Sequence, residues 1–143
     1  MENVLTHDNI IKRCQLAGLK MTEQRKIISK VLQESKDHPD VESVHSRALK
    51  LDSTISIATI YRTVKLFEEL GIIEKLEFRD GKTRYEDAKR DHHDHLIDIN
   101  SGEVIEFVDK EIEKLQEKIA NKLNYKLLGH KLELYGIKKN KKD

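Results

Sequence analysis

The chain has one cysteine, one proline and no run of apolar residues approaching the 18 or more that a membrane-crossing helix requires. With Cys14 alone, no intrachain disulfide forms, and no all-thiolate zinc site can be built from one copy. Cys14 stands among Ile10, Ile11 and Ala17 at helical spacing, which assigns it to packing rather than reactivity. Met1-Glu2-Asn3-Val4 carries neither the basic flank nor the apolar stretch of a secretory signal, so the expected compartment is the cytoplasm. Acids are scarce in one place: between Lys12 and Lys30, Glu23 stands against Lys12, Arg13, Lys20, Arg25, Lys26 and Lys30. That stretch suits a phosphate-bearing partner, although a solvated basic helix face explains the charge equally well.

What is present reads as two small domains. The 143 residues are 37% apolar and 37% charged, a balance of modest cores under a heavily charged, helix-rich surface. Helical spacing runs over 8–17 and stops at Gly18. Thr22 caps a second helix with the stripe Ile27, Ile28, Val31 and Leu32, and Pro39 follows its end. A third helix covers 41–50 with the stripe Val41, Val44, Ala48 and Leu51, and a short extended piece is expected at 54–55. Ser56 caps a fourth, over 57–70, whose apolar stripe is Ile57, Ile60, Tyr61, Val64, Phe67 and Leu70 and whose outer face is Thr59, Arg62, Thr63 and Lys65. Alternating runs at 72–78 and 82–86 flank Arg79-Asp80-Gly81, a hairpin signal. Three helices, a recognition-like helix and a hairpin spell a winged helix.

Beyond the polar stretch 88–92, taken as a hinge, the pattern changes. A strand containing the histidines pairs with 103–108 through Ser101-Gly102, and Asp109 opens a helix with Ile112, Leu115, Ile119 and Leu123. A last strand is expected over 126–135. The reading is an α+β chain: a winged-helix DNA-binding domain at 1–87, a small α/β unit at 93–137 that bears the histidine run, and a basic disordered tail at 138–143.

Chemistry concentrates in His92-His93-Asp94-His95, four potential metal donors in four consecutive positions. In a strand, successive side chains alternate faces, so His93 and His95 share one side while His92 and Asp94 share the other. Two half-sites back to back result, each needing partners from elsewhere. His38, Glu86, Glu106, Glu113 and His130 are the candidates, and periodicity does not assign them. Mixed imidazole and carboxylate donors suit zinc, iron, manganese, cobalt or nickel. For DNA, the exposed face of a recognition helix reads base edges, which singles out Thr59, Arg62 and Lys65; Tyr61 fits core packing or a thymine methyl, and Lys20 a phosphate or minor groove.

These residues together resemble the ferric uptake regulator family, through Ala17-Gly18-Leu19-Lys20-Met21-Thr22, Ala58-Thr59-Ile60-Tyr61-Arg62, and His92-His93-Asp94-His95-Leu96 followed by Val104-Ile105-Glu106-Phe107. The resemblance covers about 14–135. It implies a homodimeric, metal-activated repressor of metal-uptake genes on an AT-rich palindromic operator, with no enzymatic activity, small-molecule substrate or membrane association. Carried over residue by residue, it implies a sensory site of His38, Glu86, His93, His95 and Glu106. A second site falls on His92, Asp94, Glu113 and His130, and the DNA contacts on Lys20, Tyr61 and Arg62. Many relatives carry a Cys-x-x-Cys pair for structural zinc where this chain has Asp98 and Ser101. Fe(II) is the co-repressor the resemblance favours, with Mn(II) or Zn(II) as substitutes. The competing readings are a metalloenzyme, which would need an open coordination position, and a constitutive DNA binder with a purely structural metal.

Overall fold

A computed structural model describes residues 9–140 and divides the chain into two compact units, one ending at Arg90 and the other beginning at Asp91. Asp8 of the first expected helix, His7 and residues 141–143 of the expected tail lie outside the described residues.

The first unit contains α1 (Ile10–Leu16), α2 (Glu23–Glu34), α3 (Val41–Leu49), α4 (Ile57–Glu69) and the antiparallel hairpin of β1 (Ile73–Glu77) and β2 (Thr83–Asp87). Each helix starts on a side-chain cap that accepts an otherwise orphaned amide: Asn9, Thr22, Asp40 and Ser56, each contributing about 1 kcal/mol. α1 ends at Gly18, whose φ of +83° lets the Leu19 amide donate to the Cys14 carbonyl at 3.0 Å. That closure delivers the chain to Lys20. The core is one cluster in which Cys14, Ile28, Val44, Ile60, Val64 and Phe67 are fully buried, and burial pushes the Cys14 thiol pKa up, as expected of a packing residue.

Three expectations are corrected here. The extended piece expected at 54–55 begins as a turn at Thr54, because the Asp52 carboxylate accepts from the Thr54 amide (2.9 Å) and hydroxyl (2.6 Å). Thr63 is buried rather than outward, since it lies on the Ile60, Val64 and Phe67 arc. Ile57, Tyr61 and Leu70, together with Leu51 after α3, leave the expected stripes and are exposed, because they lie at the margins of those arcs.

The second unit contains β3 (Asp94–Asp98), β4 (Val104–Phe107), α5 (Lys110–Lys122) and β5 (Glu133–Gly136), with a three-stranded sheet in the order β4-β3-β5. β4 is antiparallel to β3 and β5 parallel to it. The Asp98 carboxylate accepts from the Asn100 and Ser101 amides at 2.9 and 3.2 Å and so closes the β3–β4 turn; these bonds hold its pKa below the usual carboxylate range. β5 is shorter than expected because it pairs only with His95–Asp98, so His130 sits in the loop before it rather than on a strand. His92 and His93 likewise precede β3. The α5 stripe is mostly unburied: Leu115 is 57% and Leu123 65% exposed, and Ala120 is the buried residue of the helix. Among the described residues no helix is long and apolar enough to cross a membrane.

Candidate metal centres and DNA-reading face

The second unit brings His92, Asp94, Glu113 and His130 together, one donor atom from each lying within 4.8 Å of the others. His92 Nε2 and His130 Nε2 are 3.0 Å apart, and Asp94 Oδ1 is 3.4 and 3.0 Å from them. Glu113 Oε1 on α5 lies 3.8 and 3.6 Å from the same two nitrogens. Four donors around an ion at zinc-like bond lengths are separated by about 3.4 Å, the edge of a tetrahedron of that radius. These five separations, from 3.0 to 3.8 Å, straddle that value.

Burial agrees with this fit. Asp94 is 1% exposed, and Asp94 Oδ2 and Glu113 Oε1 are buried oxygens with no hydrogen-bond partner among the described residues. A buried carboxylate needs a cation or a full set of donors, and a divalent ion supplies the first. The donor set holds no thiolate, which suits zinc, iron or manganese and gives no advantage to softer ions.

The opposite side of the histidine run is organised differently. His93 Nδ1 lies 2.8 Å from the Asp91 carbonyl; donating there places its lone pair on Nε2, 3.7 Å from Glu106 Oε1 on β4. Orientation of one ring nitrogen by a backbone carbonyl while the other meets a metal is the usual arrangement of a ligating histidine. The His93 and His95 rings lie edge to face with centroids 4.7 Å apart, and Glu106 pairs directly with His95 across the sheet. The face assignment read from alternation therefore holds within this unit, although two of the histidines precede the strand.

The first unit carries its own pair at its exit. His38 Nε2 lies 3.3 Å from Glu86 Oε2, with side chains 4% and 7% exposed. The Tyr85 amide donates to the Pro39 carbonyl at 3.0 Å, so the 35–40 loop and β2 are stitched together beside both ligands. Arg47 holds that loop from α3 through two bonds to Asp37 (2.9 and 2.7 Å) and one to Ser35 (2.8 Å), and its guanidinium keeps the Asp37 carboxyl below its usual range. At the end of β2, next to Glu86, Arg13 of α1 grips Asp87 with two 2.7 Å bonds and donates to the Ile72 carbonyl. Sequence reasoning places Arg13 only in the basic stretch and does not single out Arg47 or Arg90. The Arg13–Asp87 and Arg47–Asp37 pairs join segments whose approach leaves no periodic or spacing signal.

On α4, Tyr61, Arg62 and Lys65 are exposed and Thr59 is half-buried. Thr59 Oγ1 lies 3.0 Å from the capping Ser56 hydroxyl and accepts from Arg62 Nη2 at 3.3 Å, so it orients Arg62 rather than standing free. His45 of α3 donates through Nε2 to the Ile55 carbonyl at 3.0 Å, fixing the segment that leads into α4. Lys20 is exposed after α1, and its carbonyl accepts from Arg25 at 2.8 Å. The hairpin tip turns at Gly81 (φ +80°) and is braced by Arg84, which makes two bonds to Asp80 at 3.2 and 2.6 Å and lies 5.4 Å over the Phe78 ring.

The ferric uptake regulator family model matches residues 16–135. The chain is 54% identical to a ferric uptake regulation protein of Rhizobium leguminosarum bv. viciae over 130 residues, 91% of this chain and 92% of that protein. Among solved structures it is similar to a zinc-bound manganese uptake regulator, at 51% identity and TM-score 0.82, covering 92% of this chain and 99% of the other. It is also similar to the Helicobacter pylori ferric uptake regulator, described as having three functional metal binding sites, at 32% identity and TM-score 0.84, covering 96% and 93%. A winged-helix unit followed by a small α/β unit, and a match over most of the length, lead to one conclusion: the chain belongs to the ferric uptake regulator family of metal-responsive, DNA-binding transcriptional repressors.

Proposed function

We propose that the protein represses metal-uptake genes as a homodimer that grips an AT-rich palindromic operator when a divalent ion joins His38 and Glu86 to His93, His95 and Glu106. The observation that carries this reading is the buried His38–Glu86 pair at the end of the unit that bears α4. Sharing an ion between ligands on both sides of the 88–92 connector would favour one arrangement of the two units, and metal and operator affinity would then be linked. Coupling of about 1–3 kcal/mol is typical of such switches. The reading assigns no enzymatic step and no small-molecule substrate.

Lys20, Tyr61 and Arg62, with Thr59 steadying Arg62, form the proposed DNA-contacting set. The exposed Leu115, Ile119 and Leu123 of α5 support a second copy as partner, because an amphipathic helix leaves such a stripe open only where something covers it. The second cluster, His92, Asp94, Glu113 and His130, is proposed as a metal site that stiffens the dimerisation unit. Fe(II) is the first choice of co-repressor. The likeness to a manganese uptake regulator favours Mn(II) as the second reading, and the same donors accept Zn(II). Proteins of this kind act in the cytoplasm, where the operator is.

The test is the affinity for DNA from the gene's own upstream region, measured anaerobically by fluorescence anisotropy with Fe(II), then Mn(II), against a chelator control. Tighter binding with metal that is lost in His93→Ala supports the switch and ranks the ions. Equal affinity in all conditions overturns it and leaves a constitutive DNA binder with structural metal.

A further inference from the structure

Glu86 does not face His38 alone. Arg90, four residues on, places Nη1 3.7 Å from the same Oε2 that lies 3.3 Å from His38 Nε2. The arginine is delivered there by a built turn: Asp87 is clamped by Arg13, its carboxylate accepts from the Lys89 amide at 2.9 Å, and its carbonyl accepts from the Arg90 amide at 3.3 Å. Glu86 is 7% exposed at its side chain, whereas Arg90 is 41% exposed. A buried carboxylate gains from a nearby cation, and a half-exposed guanidinium on a flexible stem can leave for water when a denser charge arrives.

We propose that Arg90 is an affinity-setting residue of the sensory site: it neutralises Glu86 when metal is scarce and must be displaced for metal to bind, which raises the metal concentration at which the repressor closes. This rests on the reading of Glu86 as a ligand. The effect follows from fixed charge and distance. A guanidinium that remained about 6 Å from a divalent ion would weaken its binding about tenfold in a water-like dielectric, and salt screening brings this to between about three- and tenfold. The sign separates the idea from a structural role. An arginine that only braced the connector would weaken metal binding when lost, whereas a competitor strengthens it.

The experiment compares Mn(II) affinity of the full-length protein, by competition with a fluorescent chelator, in wild type, Arg90→Gln, Arg90→Lys and Glu86→Gln. The class of binding that Glu86→Gln weakens is the one compared. Arg90→Gln is expected to tighten that class three- to tenfold at low salt and less at 0.5 M salt, with Arg90→Lys close to wild type. Thermal unfolding should show a lower midpoint for metal-free Arg90→Gln and a larger metal-induced rise. Unchanged or weaker Mn(II) binding in Arg90→Gln overturns the proposal while leaving Glu86 a ligand. If Glu86→Gln weakens no class, the ligand assignment itself fails, and with it this inference.

Discussion

Asp94→Asn offers the sharpest test of the second cluster, because it removes charge while keeping shape. Asp94 is 1% exposed, its Oδ1 lies 3.0 Å from His130 Nε2 and 3.4 Å from His92 Nε2, and Oδ2 is buried without a hydrogen-bond partner among the described residues. In the metal-free protein the carboxylate crowds a pocket that also holds Glu113 Oε1, so the neutral amide should change stability by about 1 kcal/mol or less. With metal the balance reverses. An ion present at about one hundred times its dissociation constant adds about 2.7 kcal/mol to the wild-type protein, which raises the unfolding midpoint by about 10 °C for a chain of this size. Losing one anionic donor should weaken binding by about a hundredfold or more, which removes nearly all of that rise. Differential scanning calorimetry with and without Zn(II) or Mn(II), alongside Glu86→Gln to isolate the other ligand set, reads both quantities. A full metal-induced rise in Asp94→Asn would refute the argument that the buried carboxylate binds the ion.

Three further outcomes are expected. Arg62→Ala should reduce operator affinity by about 1–3 kcal/mol and relax specificity, whereas Lys20→Ala should lower the slope of affinity against salt by about one counterion; anisotropy at several salt concentrations separates the two. Leu115→Glu should shift the protein from dimer to monomer in light scattering, by placing a charge on the exposed α5 stripe, and a variant that stays dimeric would move the interface elsewhere. Asp80 is held below its unfolded value by the Arg84 hydrogen bonds, so its ion pair stabilises the hairpin above about pH 4 and is lost as pH falls through the folded value. Arg84→Met should cost about 2 kcal/mol at pH 7 and flatten acid unfolding in that window, which urea titrations at pH 7 and pH 3 would detect.

Legibility in the sequence followed locality. The caps at Thr22, Ser56 and Asp109, the Asp80-Gly81 tip and the grouping of His93 with His95 and His92 with Asp94 depend on neighbours within a few residues, and all were readable from spacing. Thr63 is misplaced by the sequence and Tyr61 left open, because burial depends on what packs against a face, and hydrophobicity alone does not say which margin of a stripe is covered. The extended 126–135 segment failed for a related reason: strand length is set by the partner, and β3 offers only four positions to β5.

The sequence by itself determined the element order, the winged-helix class, the two-sided histidine run and, through family resemblance, which carboxylates and distant histidines to look at. Tertiary structure alone decided that His130 and Glu113, far from the run, meet His92 and Asp94 within bonding reach of one ion. It also decided that Arg13 and Arg47 hold the ends of the ligand-bearing segments. The physical reason is the same in each case: periodicity encodes which face a side chain takes, whereas the pairing of charges across long loops is settled only when the cores beneath them have packed.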